Sequence, residues 1–426
     1  MNTEKLRSFC RTNPNDTMAL VLWGVALSLI VVSFCFSNPI ELFEGIVKLV
    51  VHPDGLITDY VQVAGFGPTF CNAGIIMVFA LVLYRLCHIH VSGPAVACTL
   101  LMGGFAMFGK NVVNIWPIIF GVFIVARIKG EHFSKYIYIA LYGTSLSPLI
   151  TEVALYFSDP FVTVLAVTLT GILIGIALVP FSAYCLRVHQ GYNLYNVGFA
   201  AGLIGTILVS IMKSFGYLRE PSQVWSVEKN WFVIGFLYAM FGVFVLLSYL
   251  MGGSIKQYTD MFRHSGRLMS DFVLMDGVPS VLMNMGFLGM LTTTYILVIG
   301  GDINGATIGG IPTVVGFGAL GKHLRNVIPV ILGVVLGSFI KVWQLNSPSV
   351  QLSALFGTAL APISGQFGWP FGMLAGFIHS SVVLNIGMFH GGLNLYNNGF
   401  SAGLVALILI PIIESFTGGK EHDNKE

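Results

Sequence analysis

The sequence predicts an all-α, polytopic membrane protein made of two inverted repeats. Three observations lead to this prediction. Hydrophobic residues make up 55% of the 426 positions and charged residues only 9%, whereas an ordinary globular protein has about 25% charged residues. Many apolar runs are long enough to cross roughly 30 Å of hydrocarbon. The chain also contains two similar halves, and each half has an odd number of apolar spans.

The internal duplication covers most of the chain. Residues 56–129 align with residues 268–341 at a constant offset of 212, without a gap. The longest later match pairs residues 189–203 with residues 390–404. Such duplication is typical of many solute carriers and channels. We expect four parts, which are a first repeat over 1–214, a connecting loop over 215–230, a second repeat over 231–415 and a polar cytoplasmic tail over 416–426.

Each half contains seven apolar spans. The third span of each half is short and glycine-rich, and we predict that it is broken or re-entrant. Each repeat is therefore expected to contain about 5–7 transmembrane helices. The segments 40–60 and 253–270 mix charged and apolar residues, which indicates interfacial linkers. The predicted spans are 18–37, 62–87, 93–109, 112–128, 135–157, 161–186 and 194–214, then 230–251, 274–300, 304–321, 324–341, 348–366, 368–388 and 395–415.

The distribution of Lys and Arg predicts an inverted topology with both termini in the cytoplasm. Since seven spans is an odd number, the second repeat must enter the membrane in the opposite orientation. With the N-terminus inside, the inner loops hold 15 Lys and Arg residues and the outer loops hold 6. Such a bias marks the cytoplasmic side. We therefore expect a multi-pass protein of the cytoplasmic membrane, with the lipid bilayer and a small polar solute as partners and with a homo-oligomer left open.

Composition argues against several other functions. The six cysteines form no Cys-x-x-Cys pair and have no repeat partners, so disulfide or metal use is not expected. The sequence shows no basic stripe or RNA-binding motif, and we expect no nucleic acid partner. The sequence shows no nucleophile–base pair and no metal cluster, so we do not expect an enzyme. No cofactor is expected beyond a coupling ion, either a proton or sodium.

Asn72 and Asn284 are the first pair of candidate site residues. Each lies in an apolar run and is followed two positions later by glycine. An amide can bind a polar solute or a cation, and glycine permits close approach of the backbone. The alternative is a structural hydrogen bond between helices.

The motif Gly-Thr-x-x-x-Pro occurs once in each repeat, and its threonines, Thr144 and Thr358, are the second pair of candidates. Proline frees a backbone carbonyl one turn earlier, and this is typical of a broken helix that lines a cavity. Glu152 and Gln366 follow each proline by four residues and lie on the same helix face. An ionisable group within a span is a functional candidate, and the alternative places Glu152 in water at the end of its span.

The third pair is the motif Asn-Leu-Tyr-Asn-x-Gly-Phe-x-Ala-Gly-Leu. Asparagine caps helices, and the positive end of a helix attracts polar oxygen atoms. We expect the motif to support the solute site, with a structural cap as the alternative. The preceding His189 and His390 either belong to the same cluster or are boundary residues, and we favour boundary residues. The candidates in this motif are Asn193, Tyr195, Asn196, Asn394, Tyr396 and Asn397.

Other paired residues have structural interpretations. Lys110 and Lys322 either capture an anion or extend to the membrane interface, and we favour the interface. Asp59 and Asp271 are interpreted as helix caps. The Gly-x-x-x-Gly pairs that begin at Gly171 and Gly372 predict close helix packing.

The paired Gly-Thr-x-x-x-Pro and Asn-Leu-Tyr-Asn-x-Gly-Phe motifs resemble a family of uncharacterised prokaryotic integral membrane proteins known only as a domain of unknown function. That resemblance covers nearly the whole chain and implies no activity. The stretch from Gly392 to Asn397 is also similar to the Gly-Leu-x-x-Tyr-Asn stretch of urea transporters, which implies an inverted-repeat channel with short pore helices. The chain departs from urea transporters in lacking an Asn-Asn-Pro motif.

These features predict a transporter of a small polar or charged solute, with the site between the two repeats. A gradient-driven secondary carrier is the preferred interpretation. The alternatives are a urea-type passive channel for a small neutral solute and a non-transport scaffold or enzyme.

The inverted topology can be tested by labelling single cysteines introduced at Lys129 and Lys341 in a cysteine-free background. We expect the two sites to react with an impermeant thiol reagent from opposite sides of the membrane, since they are equivalent positions of the two repeats. Reagent added before and after membrane permeabilisation measures this. Labelling of both sites from the same side would contradict the inversion.

Overall fold

The computed structural model describes residues 3–55, 57–216, 223–227, 229–268 and 270–417, apart from the side chains of residues 3, 5, 6, 9 and 11. Most of the described chain is helical and it has almost no sheet, which confirms the predicted all-α class. The predicted polar tail lies mostly outside the described residues, and so does Arg219 of the connecting loop.

The first half contains eleven α-helices and one two-residue strand. These are α1 (Thr3–Thr12), α2 (Pro14–Ser33), α3 (Pro39–Val51), β1 (Ile57–Thr58), α4 (Tyr60–Ala64), α5 (Phe66–Leu86), α6 (Gly93–Phe105), α7 (Trp116–Ile128), α8 (Ile137–Gly143), α9 (Ser147–Tyr156), α10 (Pro160–Val188) and α11 (Asn196–Ser214).

The ten helices of the second half follow the order of α2–α11, but its strand precedes them and pairs in parallel with β1. Its elements are β2 (Gln223–Val224), α12 (Trp231–Leu250), α13 (Ile255–Asp260), α14 (Phe272–Met275), α15 (Gly277–Val298), α16 (Gly305–Gly316), α17 (Leu324–Ile340), α18 (Pro348–Gly357), α19 (Ala361–Phe367), α20 (Trp369–Ile386) and α21 (Asn397–Thr417).

Each of the fourteen predicted spans contains helix. Within the described residues, nine helical stretches are long and apolar enough to cross a bilayer, and α6, α7, α16 and α17 are shorter apolar helices. The chain is therefore a multi-pass membrane protein. Two predicted spans are interrupted by a 3₁₀ turn, at Thr144–Leu146 between α8 and α9 and at Thr358–Leu360 between α18 and α19.

The two short glycine-rich helices, α6 and α16, cross each other in direct backbone contact. A Cβ added at Gly104 would lie 2.3 Å from the Gly309 carbonyl oxygen, and one added at Gly309 would lie 2.2 Å from that of Gly104. The beginning of α6 meets the end of α16, because a Cβ added at Gly93 would lie 2.4 Å from the Ala319 carbonyl oxygen. These equivalent helices of the two repeats are consequently antiparallel.

The N-terminus of each short helix is capped by an aspartate from the opposite repeat. Asp59 accepts hydrogen bonds from the N–H groups of Val61 (2.9 Å) and Gly305 (2.8 Å). Asp271 accepts in the same way from Val273 and Gly93, both at 3.0 Å. The predicted caps are confirmed, and each aspartate also joins the two repeats.

The motifs that follow α10 and α20 also cross between repeats. The Leu194 N–H donates to the Ala359 carbonyl at 3.0 Å, and the Leu395 N–H donates to the Ser145 carbonyl at 3.0 Å. Each motif is thereby fixed against the 3₁₀ turn of the other repeat. The largest hydrophobic core contains residues of both halves, so the repeats share one core.

Predicted close packing at Gly171, Gly175 and Gly376 is confirmed. A Cβ added at Gly171 would lie 2.4 Å from the backbone of Pro117, and one at Gly376 would lie 2.0 Å from the Val330 carbonyl oxygen. Glycine is required at these positions because α7 packs on α10, and α17 on α20, at backbone distance.

Candidate functional site

Two buried lysines occupy the middle of the repeat interface. The side chains of Lys110 and Lys322 have no exposed surface, so the prediction that they extend to the membrane interface is wrong. The Lys322 amine donates hydrogen bonds to the Tyr195 hydroxyl and the Thr358 hydroxyl, each at 2.7 Å. Among the described residues, neither lysine forms an ion pair with a carboxylate.

A row of four aromatic rings connects the two amines. The Lys110 amine lies 5.1 Å from the centre of the Phe105 ring, and the Lys322 amine lies 5.2 Å from that of Phe317. Tyr396 and Tyr195 lie between these two phenylalanines. Successive ring centres from Phe105 to Phe317 are 4.7, 5.1 and 4.8 Å apart. The row is nearly symmetric about the Tyr396–Tyr195 contact, and each lysine faces the electron-rich side of aromatic rings.

The row divides into two half-sites, and each combines residues of both repeats. The first half-site consists of Lys110, Met102, Thr144 and Tyr396. The second half-site consists of Lys322, Tyr195 and Thr358. In each, the lysine and the threonine belong to one repeat and the tyrosine belongs to the other.

The backbone N–H of each lysine closes a turn at the end of the short helix that precedes it. The Lys110 N–H donates to the Phe105 carbonyl at 3.1 Å, and the Lys322 N–H donates to the Phe317 carbonyl at 2.9 Å. The preceding Gly109 and Gly321 have φ angles of +140° and +98°, where a side chain would be strained. The Gly-Lys sequence thus ends each short helix with a tight turn that directs the lysine inward.

Asn72 and Asn284 fix these turns. The Asn72 amide donates to the carbonyls of Ala106 (2.7 Å) and Lys110 (2.8 Å). Asn284 donates to the carbonyls of Gly318 (2.8 Å) and Lys322 (2.7 Å). Both asparagine side-chain oxygens are buried without a hydrogen-bond partner among the described residues. The structure therefore places these candidates beside the lysines, with a positioning contact and one unused acceptor each.

The threonines of Gly-Thr-x-x-x-Pro differ between the half-sites. Thr358 accepts from Lys322, whereas Thr144 is separated from Lys110 by the sulfur of Met102. That sulfur lies 3.3 Å from the Lys110 amine and 3.4 Å from the Thr144 hydroxyl. The repeat equivalent of Met102 is Val314, which is shorter and carries no sulfur acceptor.

The asparagines of Asn-Leu-Tyr-Asn orient the tyrosines. Asn193 and Asn394 are buried, and each side-chain oxygen accepts the N–H of the tyrosine two residues later at 3.0 Å. This contact sets the backbone turn from which Tyr195 reaches the Lys322 amine and Tyr396 packs on Phe105.

Asn196 and Asn397 connect this motif to the preceding helix. Their oxygens lie 2.9 Å from the ring nitrogens of His189 and His390. Their amides donate to the carbonyls of Ser182 (3.0 Å) and Val383 (3.1 Å). The interpretation of the histidines as mere boundary residues is wrong, because both belong to this buried network.

Glu152 and Gln366 lie apart from the row of rings. Glu152 is only 4% exposed, which excludes the interpretation as a residue in water. The preceding Thr151 donates to Asp54 at 3.1 Å, and Asn114 joins Asp54 (3.3 Å) to the Gly109 carbonyl (3.2 Å). Asp54 and Glu152, together called the acidic cluster, are thus both buried, and Asp54 connects through hydrogen bonds to the turn that carries Lys110.

The second repeat has no such acidic cluster. Gly266, Gly365 and Gln366 stand where the first repeat has Asp54, Thr151 and Glu152. A Cβ added at Gly365 would lie 2.0 Å from the Ser265 carbonyl oxygen, so backbone fills the place of the side chains.

The side chains of the site are mainly hydrogen-bond donors. Its amines and hydroxyls are hydrogen-bond donors in surroundings where an unpaired charge is costly. Within the part of the chain that the structure describes, no group of three or more His, Cys, Asp or Glu side chains is placed to hold a metal ion.

Sequence reasoning missed the roles of Phe105, Phe317, Asp54 and Met102. The two phenylalanines and the Gly-Lys pairs were visible as identities between the repeats. Met102 and Asp54 differ from the equivalent residues of the second repeat. Only a comparison of the differences between the repeats would have indicated them.

A family model matches residues 38–214 and 251–415, and its description is "Protein of unknown function (DUF1576)". The match covers most of both repeats, and the chain belongs to this family. The resemblance to an uncharacterised membrane family is confirmed. No curated protein matches the chain, and no solved structure matches it.

The two half-sites should respond differently to loss of the tyrosine hydroxyl. Tyr195→Phe removes a partner of the buried Lys322 amine and should destabilise the protein by about 1–3 kcal/mol. Tyr396→Phe removes a hydroxyl without a partner among the described residues and should change stability by less than about 0.5 kcal/mol. Melting of the purified proteins in detergent measures both. Equal destabilisation by the two substitutions would contradict the assigned asymmetry.

Proposed function

We propose that this family member is a gradient-driven secondary carrier that moves a small polar or charged solute across the cytoplasmic membrane. The observation that carries the proposal is the burial of two repeat-related lysines between the repeats. Ionisable residues are expensive inside a membrane protein and mark substrate or ion pathways. The half-sites, each made from both repeats, lie where relative movement of the repeats would change them.

The arrangement of the repeats supports the inverted topology of the proposal. The antiparallel contact of α6 and α16 is the relation expected between equivalent elements of inverted repeats, and broken helices near the site are typical of such carriers. The excess of Lys and Arg in the inner loops persists when the two buried lysines, one on each side, are left out of the count. Removing the two buried lysines leaves 15 − 1 = 14 basic residues inside and 6 − 1 = 5 outside, which favours cytoplasmic termini.

Complete burial of the lysines favours a carrier over a urea-type channel. A solute can contact either amine only after the surrounding helices move. A cavity of about 50 Å³ lies beside the row of rings, bordered by Phe108, Phe356 and Leu395, and it has room for only a few water molecules. Alternating access supplies the required movement, and a passive channel would not need it.

The acidic cluster is the proposed place of ion coupling. Glu152 and Asp54 are buried in the first repeat, whereas their equivalents are Gln366 and Gly266. Hydrogen bonds through Asn114 connect the cluster to the Lys110 turn. A proton or sodium ion bound there would influence the half-site through this connection, and the second repeat supplies the uncharged comparison.

The proposal predicts saturable, concentrative transport. Purified protein would first be screened for ligands by thermal shift, with and without sodium and at two pH values, because a ligand raises apparent stability as its concentration rises. Each ligand found would then be tested for uptake by proteoliposomes with an imposed proton or sodium gradient. Linear uptake that never exceeds the outside concentration would indicate a channel, and ligand binding with no uptake at all would indicate a scaffold.

Glu152→Gln should uncouple transport from the ion gradient, because it gives the first repeat the uncharged amide of the second. We expect gradient-driven accumulation to fall to the equilibrium level while downhill exchange remains measurable. Parallel uptake and counterflow assays in proteoliposomes measure the two activities.

Glu44→Gln is the matched control, because Glu44 is exposed on α3 and removing its charge should leave accumulation unchanged. If the Glu152→Gln protein still concentrates solute like the parent, Glu152 has no part in coupling.

A further inference from the structure

We infer that the first half-site binds the anionic group of the solute, a small carboxylate or oxyanion, and that the protein itself completes the second half-site. This inference deepens the proposed function and rests on it for the statement that the anion is transported. Binding of the anion is a separate property that can be measured without transport.

The first observation is a difference between two pairs of identical residues. The Tyr195 hydroxyl is bound by Lys322, whereas the buried Tyr396 hydroxyl has no partner among the described residues. The Asn193 amide nitrogen donates to the Gly399 carbonyl at 3.0 Å, whereas that of Asn394 has no partner in the described chain. In both pairs the unused group belongs to the motif whose tyrosine packs on Phe105, the ring that lies under the Lys110 amine.

The second observation is that the first repeat has two hydroxyls that its counterpart lacks. Tyr142 and Ser145 correspond to Phe356 and Ala359. Both hydroxyl oxygens are buried without a described partner. The Tyr142 ring centre lies 6.5 Å from that of Tyr396, and Ser145 accepts through its carbonyl from Leu395, the residue before Tyr396. These groups therefore surround the loop that supplies Tyr396 to the first half-site.

The unused groups have the chemistry of an anion site. An amide nitrogen only donates, a lysine amine carries three N–H bonds, and hydroxyls can donate as well. The described hydrogen-bond acceptor of the Lys110 amine is the sulfur of Met102, which is a weak acceptor. A carboxylate or oxyanion would supply strong acceptors to these donors and a countercharge to the lysine. A metal cation would be repelled by the same amine.

Met102 occupies the place where the ligand would bind. Its sulfur lies between Lys110 and Thr144, whereas Lys322 contacts Thr358 directly. Methionine is flexible and adapts to altered surroundings, so its side chain can turn away when an anion enters.

The test measures anion-dependent melting of the purified protein. Acetate, lactate, nitrate and inorganic phosphate would each be titrated at constant ionic strength against sodium gluconate, with acetamide and urea as neutral probes. We expect at least one of the four anions to raise the melting temperature with a saturating dependence, and the neutral probes to have no such effect.

Variants assign the effect to the first half-site. Lys110→Met should abolish the anion-dependent shift, and Tyr396→Phe should weaken the apparent affinity by about 10-fold or more, since a hydrogen bond to a charged group is lost. Lys213→Met is the matched control, because it removes the same charge from an exposed position on α11 and should retain the shift.

Several outcomes would overturn the inference. These are the absence of any saturating shift with the four anions, an equal shift with acetamide or urea, and survival of the shift in Lys110→Met. If Lys110→Met does not fold, unchanged affinity in Tyr396→Phe overturns it. Anion binding without flux in proteoliposomes would refute the carrier proposal and leave this site intact. Flux of a neutral solute that is insensitive to Tyr396→Phe would refute the anion site and leave the carrier proposal intact.

Discussion

The central constraint on this protein is that α6 and α16 begin and end inside it. The first four N–H groups and the last four carbonyls of a helix have no partner within the helix, and hydrocarbon offers none. Asp271 and Asp59 satisfy the beginnings, each from the opposite repeat. Asn72 and Asn284 satisfy the turns after the ends. Because those turns carry the lysines, the contacts that satisfy the backbone also place the functional groups.

Duplication gives the site its composite form. An aspartate from one repeat caps a helix of the other, and a tyrosine from one repeat faces a lysine of the other. Neither repeat alone could build a half-site, since each needs the tyrosine that follows Leu194 or Leu395 and that is fixed by a backbone hydrogen bond to the opposite 3₁₀ turn. Any movement of one repeat relative to the other must therefore change the surroundings of both lysines.

Much of the fold follows from the sequence, because apolar length and repeat identity are local and countable properties. The short third span, the break near Thr144 and Thr358, and the capping role of Asp59 were all predicted. The burial of Lys110 was not, because a lysine between two apolar runs has the same pattern whether it turns outward or inward. The outcome depends on the turn at Gly109 and on Asn72, which lies 38 residues away. The tyrosine contacts could not be predicted either, since they depend on how the repeats cross.

Comparison of the repeats separates structure from function in a way that identity alone does not. Residues that are identical and make the same hydrogen bonds in both halves, such as the aspartate caps and the asparagine contacts to the lysine turns, maintain the shared architecture. The differences concentrate around Lys110, where Met102 replaces a valine, Tyr142 replaces a phenylalanine and a buried acid lies nearby.

Each of those differences adds a polar or flexible group at a buried position, and unused polar groups there reduce stability. The fold itself does not require these unused groups, because the second half-site of the same chain binds its lysine amine to two hydroxyls. In the proposed carrier, the first half-site is incomplete until a solute supplies the missing acceptors, and the second half-site holds its form while that exchange occurs.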